Sequence, residues 1–171
     1  MTFPAEILTA MGDIADKAII DEFVAQGHHL TGSWEESMKS IVSDDEIVGV
    51  AKSYGAIVDA GVQPSNIPFG NGNNTGAKVS SYIQGLFEFW KLRKPGISDK
   101  MALQLAFATA KTQKKEGMST IGSRAYSKTG DRQQFVKDAF QKKQDEIDAV
   151  FNERSVEIID DLISEPLQII S

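Results

Sequence analysis

The stretch QGHHLTGSW, residues 26–34, contains both histidines of the chain, His28 and His29, followed by hydroxyl side chains. Histidine beside serine, or with further metal ligands, is the combination that hydrolysis and zinc binding use. Adjacent histidines point their rings in different directions, however, and no His-x3-His spacing offers a shared metal site. Ser33 also lacks a Gly-x-Ser-x-Gly turn. We therefore predict no catalytic residue and no metal ligand in this stretch.

The same histidine pair has a structural interpretation. Positive charge at the end of a helix is favourable beside the carbonyls of the last turn. Thr31 or Ser33 is then expected to cap a short turn that carries the two following glutamates. A small hydrolase that uses His28 or His29 is kept as the third functional hypothesis.

The segment FGNGNNTGAK, residues 69–78, is superficially similar to a phosphate-binding loop. The Gly-x4-Gly-Lys-Ser/Thr spacing fails, because Gly72 and Gly76 are one residue too close and Ala77 separates Gly76 from Lys78. Val79 also stands where a hydroxyl side chain would bind magnesium. We predict that the protein binds no nucleotide and no other cofactor.

Acidic residues are adjacent at two places, Asp44-Asp45-Glu46 and Asp160-Asp161. The paired carboxylates of glycosidases lie on opposite sides of a cleft, so neighbours in a turn do not fit that chemistry. The two runs are interpreted as a solvated hairpin tip and a helix surface. Since no motif supports catalysis, we predict that the protein is not an enzyme.

Length and composition indicate one globular domain, residues 1–171. The absence of cysteine excludes disulfides, thiolate metal sites and a cysteine nucleophile. No window approaches the length of an apolar membrane span, and the first ten residues lack a basic and apolar leader. We expect a soluble, unprocessed protein that does not bind membranes.

Charge is distributed in three blocks along the chain. Residues 1–77 contain 3 basic and 11 acidic groups, residues 78–143 contain 14 and 5, and residues 144–171 contain 1 and 8. The basic middle of one copy could pair with the acidic ends of another, or the charges could neutralise one another within one subunit. Sequence-specific nucleic-acid binding is not expected, because the basic residues are scattered and the whole chain is acidic.

Apolar periodicity and turn residues predict the elements. A first amphipathic helix runs from Pro4 to Gly27, with Ile7, Leu8, Ile19 and Phe23 on its apolar side and Glu22 on its polar side. A β-hairpin follows around a turn at Asp44-Asp45. Residues 54–61 form a short helix or the end of a strand, and residues 62–78 a long exposed loop.

The second half of the chain is predicted to be mainly helical. Residues 79–116 form a helical hairpin whose second helix begins at Ser98-Asp99 and ends at Gly117, and its aromatic residues are interpreted as core. Residues 118–131 form a loop or a short strand, and a long last helix begins around Asp131. A short apolar tail, residues 166–171, follows it. The predicted fold class is α+β, with a small, mainly antiparallel sheet packed by the first and last helices and the hairpin as an additional layer.

Several short signatures occur in an order that resembles the neck proteins of tailed bacteriophages, which are called tail-completion or head-tail joining proteins. The first signature is a Thr-Gly pair followed by Ser-Ile, and the second is a Tyr-Ala-x-x-Val-Glu-x-Gly segment. A lysine-rich helix end with glycine and a Phe-x-x-x-Ala opening of the last helix complete the order. The matching residues are Thr31, Gly32, Ser40, Ile41, Tyr54, Val58, Gly61, Lys111, Lys114, Lys115, Gly117, Phe135 and Ala139. The second signature has Gly55 in place of its alanine and Asp59 in place of its glutamate.

The resemblance implies a structural protein of the virion, located in the neck or tail and assembled in the host cytoplasm. Such a protein forms a homo-oligomeric ring between the portal or adaptor proteins and the tail proteins. A cytoplasmic protein-binding or regulatory module without catalytic activity is the alternative hypothesis. The predicted contact residues lie in the long loop and the apolar tail: Pro64, Pro68, Phe69, Asn71, Asn73, Asn74, Leu167, Ile169 and Ile170.

Overall fold

A computed structural model describes residues 5–44, 46–69 and 79–164 of the chain. The fold class is α+β, as predicted, and the described part contains a two-stranded antiparallel sheet and several helices. The helices and strands are α1 (Ala5–Ala25), β1 (Lys39–Val42), β2 (Ile47–Val50), α2 (Tyr54–Ala60), α3 (Ser81–Arg93), α4 (Asp99–Glu116) and α5 (Phe135–Ser164). Short 3₁₀ helices cover Glu35–Ser37, Pro64–Asn66 and Ile121–Tyr126.

The chain divides into two compact units that are interleaved in sequence. Unit 1 consists of residues up to Phe23, Ser33–Lys52 and residues from Phe135 onward, whereas unit 2 consists of Val24–Gly32 and Ser53–Gln134. The prediction that residues 1–171 form one domain stays a prediction. In the part of the chain that the structure describes, no helix has the length and hydropathy of a membrane span.

An aromatic cluster forms the centre of unit 1. Phe23 of α1 stacks on Trp34 with the ring centroids 4.2 Å apart, and Phe135 contacts both rings edge-on at 5.2 and 5.3 Å. All three side chains are almost fully buried, as are Ile7, Leu8 and Ile19 on the same helix. The apolar periodicity of the first helix therefore predicted its buried face.

The β-hairpin of unit 1 is attached to α1 by one serine and one aspartate. Ser40 donates its amide hydrogen to Asp16 Oδ2 at 2.6 Å and its hydroxyl hydrogen to Oδ1 at 2.8 Å. Gly12 allows the strand to approach, since an added Cβ would lie 3.0 Å from the Ser40 Cβ. The cross-strand pair Ile41 and Val48 is exposed. The predicted hairpin is thus confirmed.

Glu22 departs from the prediction that it lies on the polar side of α1. Its side chain is only 5% exposed, and its carboxylate forms an ion pair with the Lys142 ammonium of α5. Buried carboxylates are tolerated when a cation and hydrogen bonds compensate for lost water. The partner is 120 residues away in sequence, so no local pattern indicates it.

Two predicted helix starts are corrected by the structure. The N-cap position of the 3₁₀ helix Glu35–Ser37 is occupied by Trp34, which makes no side-chain cap hydrogen bond, and not by Thr31 or Ser33. Helix α5 begins at Phe135 rather than near Asp131. The reason is that residues immediately before α5 use their side chains elsewhere in unit 2, and Gln134 has a positive φ of 57°.

The predicted helical hairpin is confirmed as α3 and α4, which contribute a buried cluster to unit 2. Ser80 and Ser98 cap the two helices by accepting hydrogen bonds from Ile83 N and Met101 N, each at 3.3 Å. Ala102, Ala106 and Ala110 recur on every fourth position of α4 and are fully buried, which lets the two helices approach closely. Large side chains then cover this alanine stripe, namely Phe69, Tyr82, Leu86, Phe87, Trp90 and Leu103.

The segments that flank the hairpin are more ordered than predicted. Val62 and Met118 form an antiparallel bridge with two hydrogen bonds of 2.8 Å. Residues 64–66 form a 3₁₀ helix and Ile67 is 2% exposed, so the prediction of an irregular loop was wrong for residues 62–67 and the predicted exposure was wrong for Ile67. Gln63, Ser65 and Asn66 are exposed, as predicted. Residues 121–126 are likewise a 3₁₀ helix, not a loop or strand.

Candidate functional site

The turn after α1, residues 26–29, is the place where the sequence concentrates its histidines. Gly27 ends the helix with a φ of 76°, a left-handed conformation that glycine adopts without strain. A Cβ at this position would lie 2.3 Å from the Tyr126 carbonyl oxygen. Only glycine fits here, which confirms the predicted end of the first helix.

Arg132 holds this turn in place. Its guanidinium donates hydrogen bonds to the Gly27 carbonyl at 3.0 Å and to the Ser123 carbonyl at 3.2 Å. The same group faces His28 Nδ1 at 3.2 Å. One cation therefore satisfies a carbonyl at the end of α1 and connects it to the 3₁₀ helix Ile121–Tyr126. Sequence reasoning missed this residue, because its spacing to Gly27 carries no recognisable pattern.

His28 is consequently not the charged residue that the sequence suggested. Burial, followed by the positive charge of Arg132, lowers the pKa of His28 to about 4. The ring is neutral at pH 7, and its Nδ1 can accept a hydrogen bond from the guanidinium. The interpretation of His28 as a helix-end cation was wrong, since Arg132 supplies that charge. A neighbouring cation also disfavours the imidazolium that a general base must form, which argues against hydrolysis at this position.

We expect His28 to make the stability of the protein depend on pH. Its folded pKa of about 4 lies below the unfolded value of 6.5, so the unfolded state binds the proton more readily. The stabilisation is complete above about pH 6.5 and is lost as pH falls toward 4, by about 1–2 kcal/mol after allowance for partial solvent screening. His28→Gln should flatten this dependence in urea unfolding at pH 7 and at about pH 4.5.

His29→Gln is the matched control for that measurement, because carboxylate titration affects both variants equally. The control should keep the wild-type pH dependence. An unchanged dependence in His28→Gln would contradict the assignment.

The predicted contact loop is anchored to unit 2 where its first residues are described. Phe69 packs on the alanine stripe and meets Phe107 edge-on at 6.5 Å, and the Lys114 ammonium donates to the Ile67 carbonyl at 3.1 Å. Pro64 is partly buried against Gly117, whereas Pro68 is exposed. The other predicted contact residues, Asn71, Asn73, Asn74, Leu167, Ile169 and Ile170, lie outside the described residues.

An exposed face of α5 combines apolar and acidic side chains. Val156, Ile159 and Ile163 are 56, 53 and 76% exposed, and their spacing of three and four residues places them on one side of the helix. Exposed acidic side chains occur on or beside the same side of the helix: Asp145, Asp148, Glu153 and Asp160. We call these seven residues the acidic face of α5. The sequence identified Asp160 as a surface residue but not the exposed apolar stripe.

An exposed face of α4 has the opposite charge. Met101 and Phe107 are 50 and 44% exposed, and the lysines of this helix are exposed around them. Those lysines are Lys100, Lys111, Lys114 and Lys115. No acidic residue occurs between positions 100 and 115. We call these six residues the basic face of α4.

The charges of the chain separate by unit as well as by sequence block. Unit 1 contains 7 basic and 19 acidic residues, a net charge of −12. Unit 2 contains 11 basic and 5 acidic residues, a net charge of +6. The basic block found in the sequence is therefore largely the charge of one compact unit.

Among the residues that the structure describes, no group of three or more histidine, aspartate or glutamate side chains could hold a metal ion. Comparisons of the chain with protein-family models, curated proteins and solved structures find no match. The resemblance to phage neck proteins thus stays a prediction.

Proposed function

We propose that the chain is a structural subunit of the neck or connector of a tailed bacteriophage and forms a ring between portal-side and tail-side proteins. The observation that carries the proposal is the separation of a net charge of −12 and of +6 into two compact units. Each copy in a ring presents two different surfaces that must match each other. Complementary potentials guide such contacts and fix their register.

Five of the residues that carry the sequence resemblance occupy turn or core positions. Gly32 has a φ of 77° in the turn between α1 and the hairpin, and Gly61 and Gly117 have φ values of 72° and 85° at helix ends. Phe135 and Ala139 open α5 and are each 1% exposed. These positions support the resemblance, because each is a turn or core position that the signature would need.

The environment of His28 supports a structural role over the hydrolase hypothesis. The histidine is neutral, partly buried and faces a cation that disfavours its protonation. The proposed partners are further copies of this chain, the portal or adaptor protein and the tail proteins. The protein is proposed to act without a cofactor in the virion, after assembly in the host cytoplasm.

The proposal is tested by the assembly state of the full chain alone and with the portal protein encoded in the same genome. We expect light scattering to show a defined oligomer, and electron microscopy to show closed rings that bind the portal. If the protein stays monomeric at high concentration and does not assemble after the portal protein is added, the proposal is contradicted. A monomer that instead captures a host protein would favour the alternative, a cytoplasmic binding or regulatory module.

A further inference from the structure

The acidic face of α5 and the basic face of α4 match each other in length as well as in charge. Residues 145–163 of α5 extend over about 27 Å and residues 100–115 of α4 over about 22 Å, at the usual rise per residue. Each face has apolar side chains between its charged groups, and these side chains are about half exposed or more. Two helices of this kind can bury their apolar residues against each other while their charges pair at the rim.

Among the described residues, few charges of opposite sign interact with the two faces. On α5, Arg154 pairs with Glu157, which lies beside the acidic face, at 2.8 Å, and its charge also attracts Glu153 of the face, so that one cation stands against four carboxylates. On α4, two acids flank the basic face: Asp99 pairs with Lys91 at 2.8 Å, and Glu116 accepts a hydrogen bond from the Ile121 amide at 3.0 Å. Both faces therefore retain their net charge for an external partner.

We propose that the acidic face of α5 in one copy docks on the basic face of α4 in the next copy. A second copy is the occupant that the charges favour, because the same chain contains both complementary surfaces. The contact is heterologous, since two different surfaces meet, and repetition of one such contact produces a ring or a filament. The inference rests on the proposed self-association and specifies its contact.

A charge exchange between two variants tests the contact. The α5 variant is Glu153→Lys with Asp160→Lys, and the α4 variant is Lys111→Glu with Lys115→Glu. In each variant alone, like charges face each other, and we expect self-association to weaken about tenfold or more at low salt. In an equimolar mixture each contact again joins unlike charges, so sedimentation velocity should show oligomers that alternate the two variants.

Two matched controls change the same number of charges elsewhere. Asp44→Lys with Glu46→Lys alters the exposed hairpin tip of unit 1, and Arg124→Glu with Lys128→Glu alters exposed positions of unit 2. Both controls should associate like wild type, and circular dichroism should show that every variant is folded.

The outcomes separate this inference from the proposed function. If wild type forms oligomers, and the variants and their mixture associate as strongly as the controls, the α5–α4 contact is wrong. The ring then forms through another surface. If wild type is monomeric at every salt concentration, both proposals fail. If each variant associates poorly and their equimolar mixture associates no better, the contact is also overturned. Unlike charges on α4 and α5 would then be restored without restoring association.

Discussion

Replacing Arg132 with methionine is expected to lower the free energy of unfolding by about 3 kcal/mol, because two carbonyls lose a charged donor. The guanidinium binds the Gly27 and Ser123 carbonyls, and methionine fills a similar volume without donating a hydrogen bond. The loss is partly offset, since burial of the guanidinium itself is unfavourable, as the lowered pKa of Arg132 indicates. Urea unfolding at pH 7 measures the difference.

A second readout separates this role of Arg132 from simple packing. The charge of Arg132 is one cause of the lowered pKa of His28, so the pKa should rise in Arg132→Met. Arg132→Lys keeps the charge but cannot reach both carbonyls with one ammonium, and we expect an intermediate stability with a lowered His28 pKa. NMR titration of the histidine ring protons distinguishes these variants.

Arg124→Met is the matched control, because Arg124 lies in the 3₁₀ helix Ile121–Tyr126 that Arg132 contacts and has an exposed side chain. Its cost should stay within about 0.5 kcal/mol, as for most surface positions. Equal stability of the Arg132 and Arg124 variants would show that the two carbonyl bonds contribute nothing to the fold.

Local signals in the sequence predicted the elements whose ends are fixed by neighbouring residues. The glycine at position 27 ended the first helix, Ser98 began α4 and Gly117 ended it, as the structure confirms. These signals succeed because capping and left-handed turns depend on a few adjacent residues. The α+β class followed from the same elements.

Contacts between distant residues were not predictable in the same way. Glu22 meets a lysine 120 residues away, and Arg132 meets Gly27 across 105 residues. Periodicity placed Glu22 on the polar side of α1, and local composition placed Arg132 in a helix that begins only three residues later. Both predictions were wrong because contacts with distant residues outweigh local helix preference. Glu22 is buried by its ion pair with Lys142, and Arg132 binds the Gly27 carbonyl instead of joining α5.

The candidate contact surfaces could also be predicted only in part from the sequence. The sequence shows that residues 78–143 are basic, but the net charge of each compact unit depends on which segments pack together. The apolar stripe of α5 was not separable by sequence from the core-facing residues of that helix. The exposure of the stripe depends on which side of α5 is covered by the other segments of unit 1.

Replacing Phe23 with alanine is expected to cost about 4 kcal/mol of unfolding free energy, because a fully buried ring is removed from the aromatic cluster. Phe23 is 1% exposed and contacts both Trp34 and Phe135. The cavity beside Trp34 should also shift its fluorescence to longer wavelength. Thermal unfolding followed by fluorescence and circular dichroism measures both effects.

The matched control is Phe140→Ala, which removes the same side chain from a position on α5 that is 45% exposed. Its cost should be about 1 kcal/mol, since much less apolar area returns to water. A double-mutant cycle of Phe23→Leu with Phe135→Leu should give a coupling of about 1 kcal/mol for the edge-on pair. Additive effects would show that the rings contribute by burial alone, whereas equal costs at positions 23 and 140 would contradict the placement of Phe23 at the centre of unit 1.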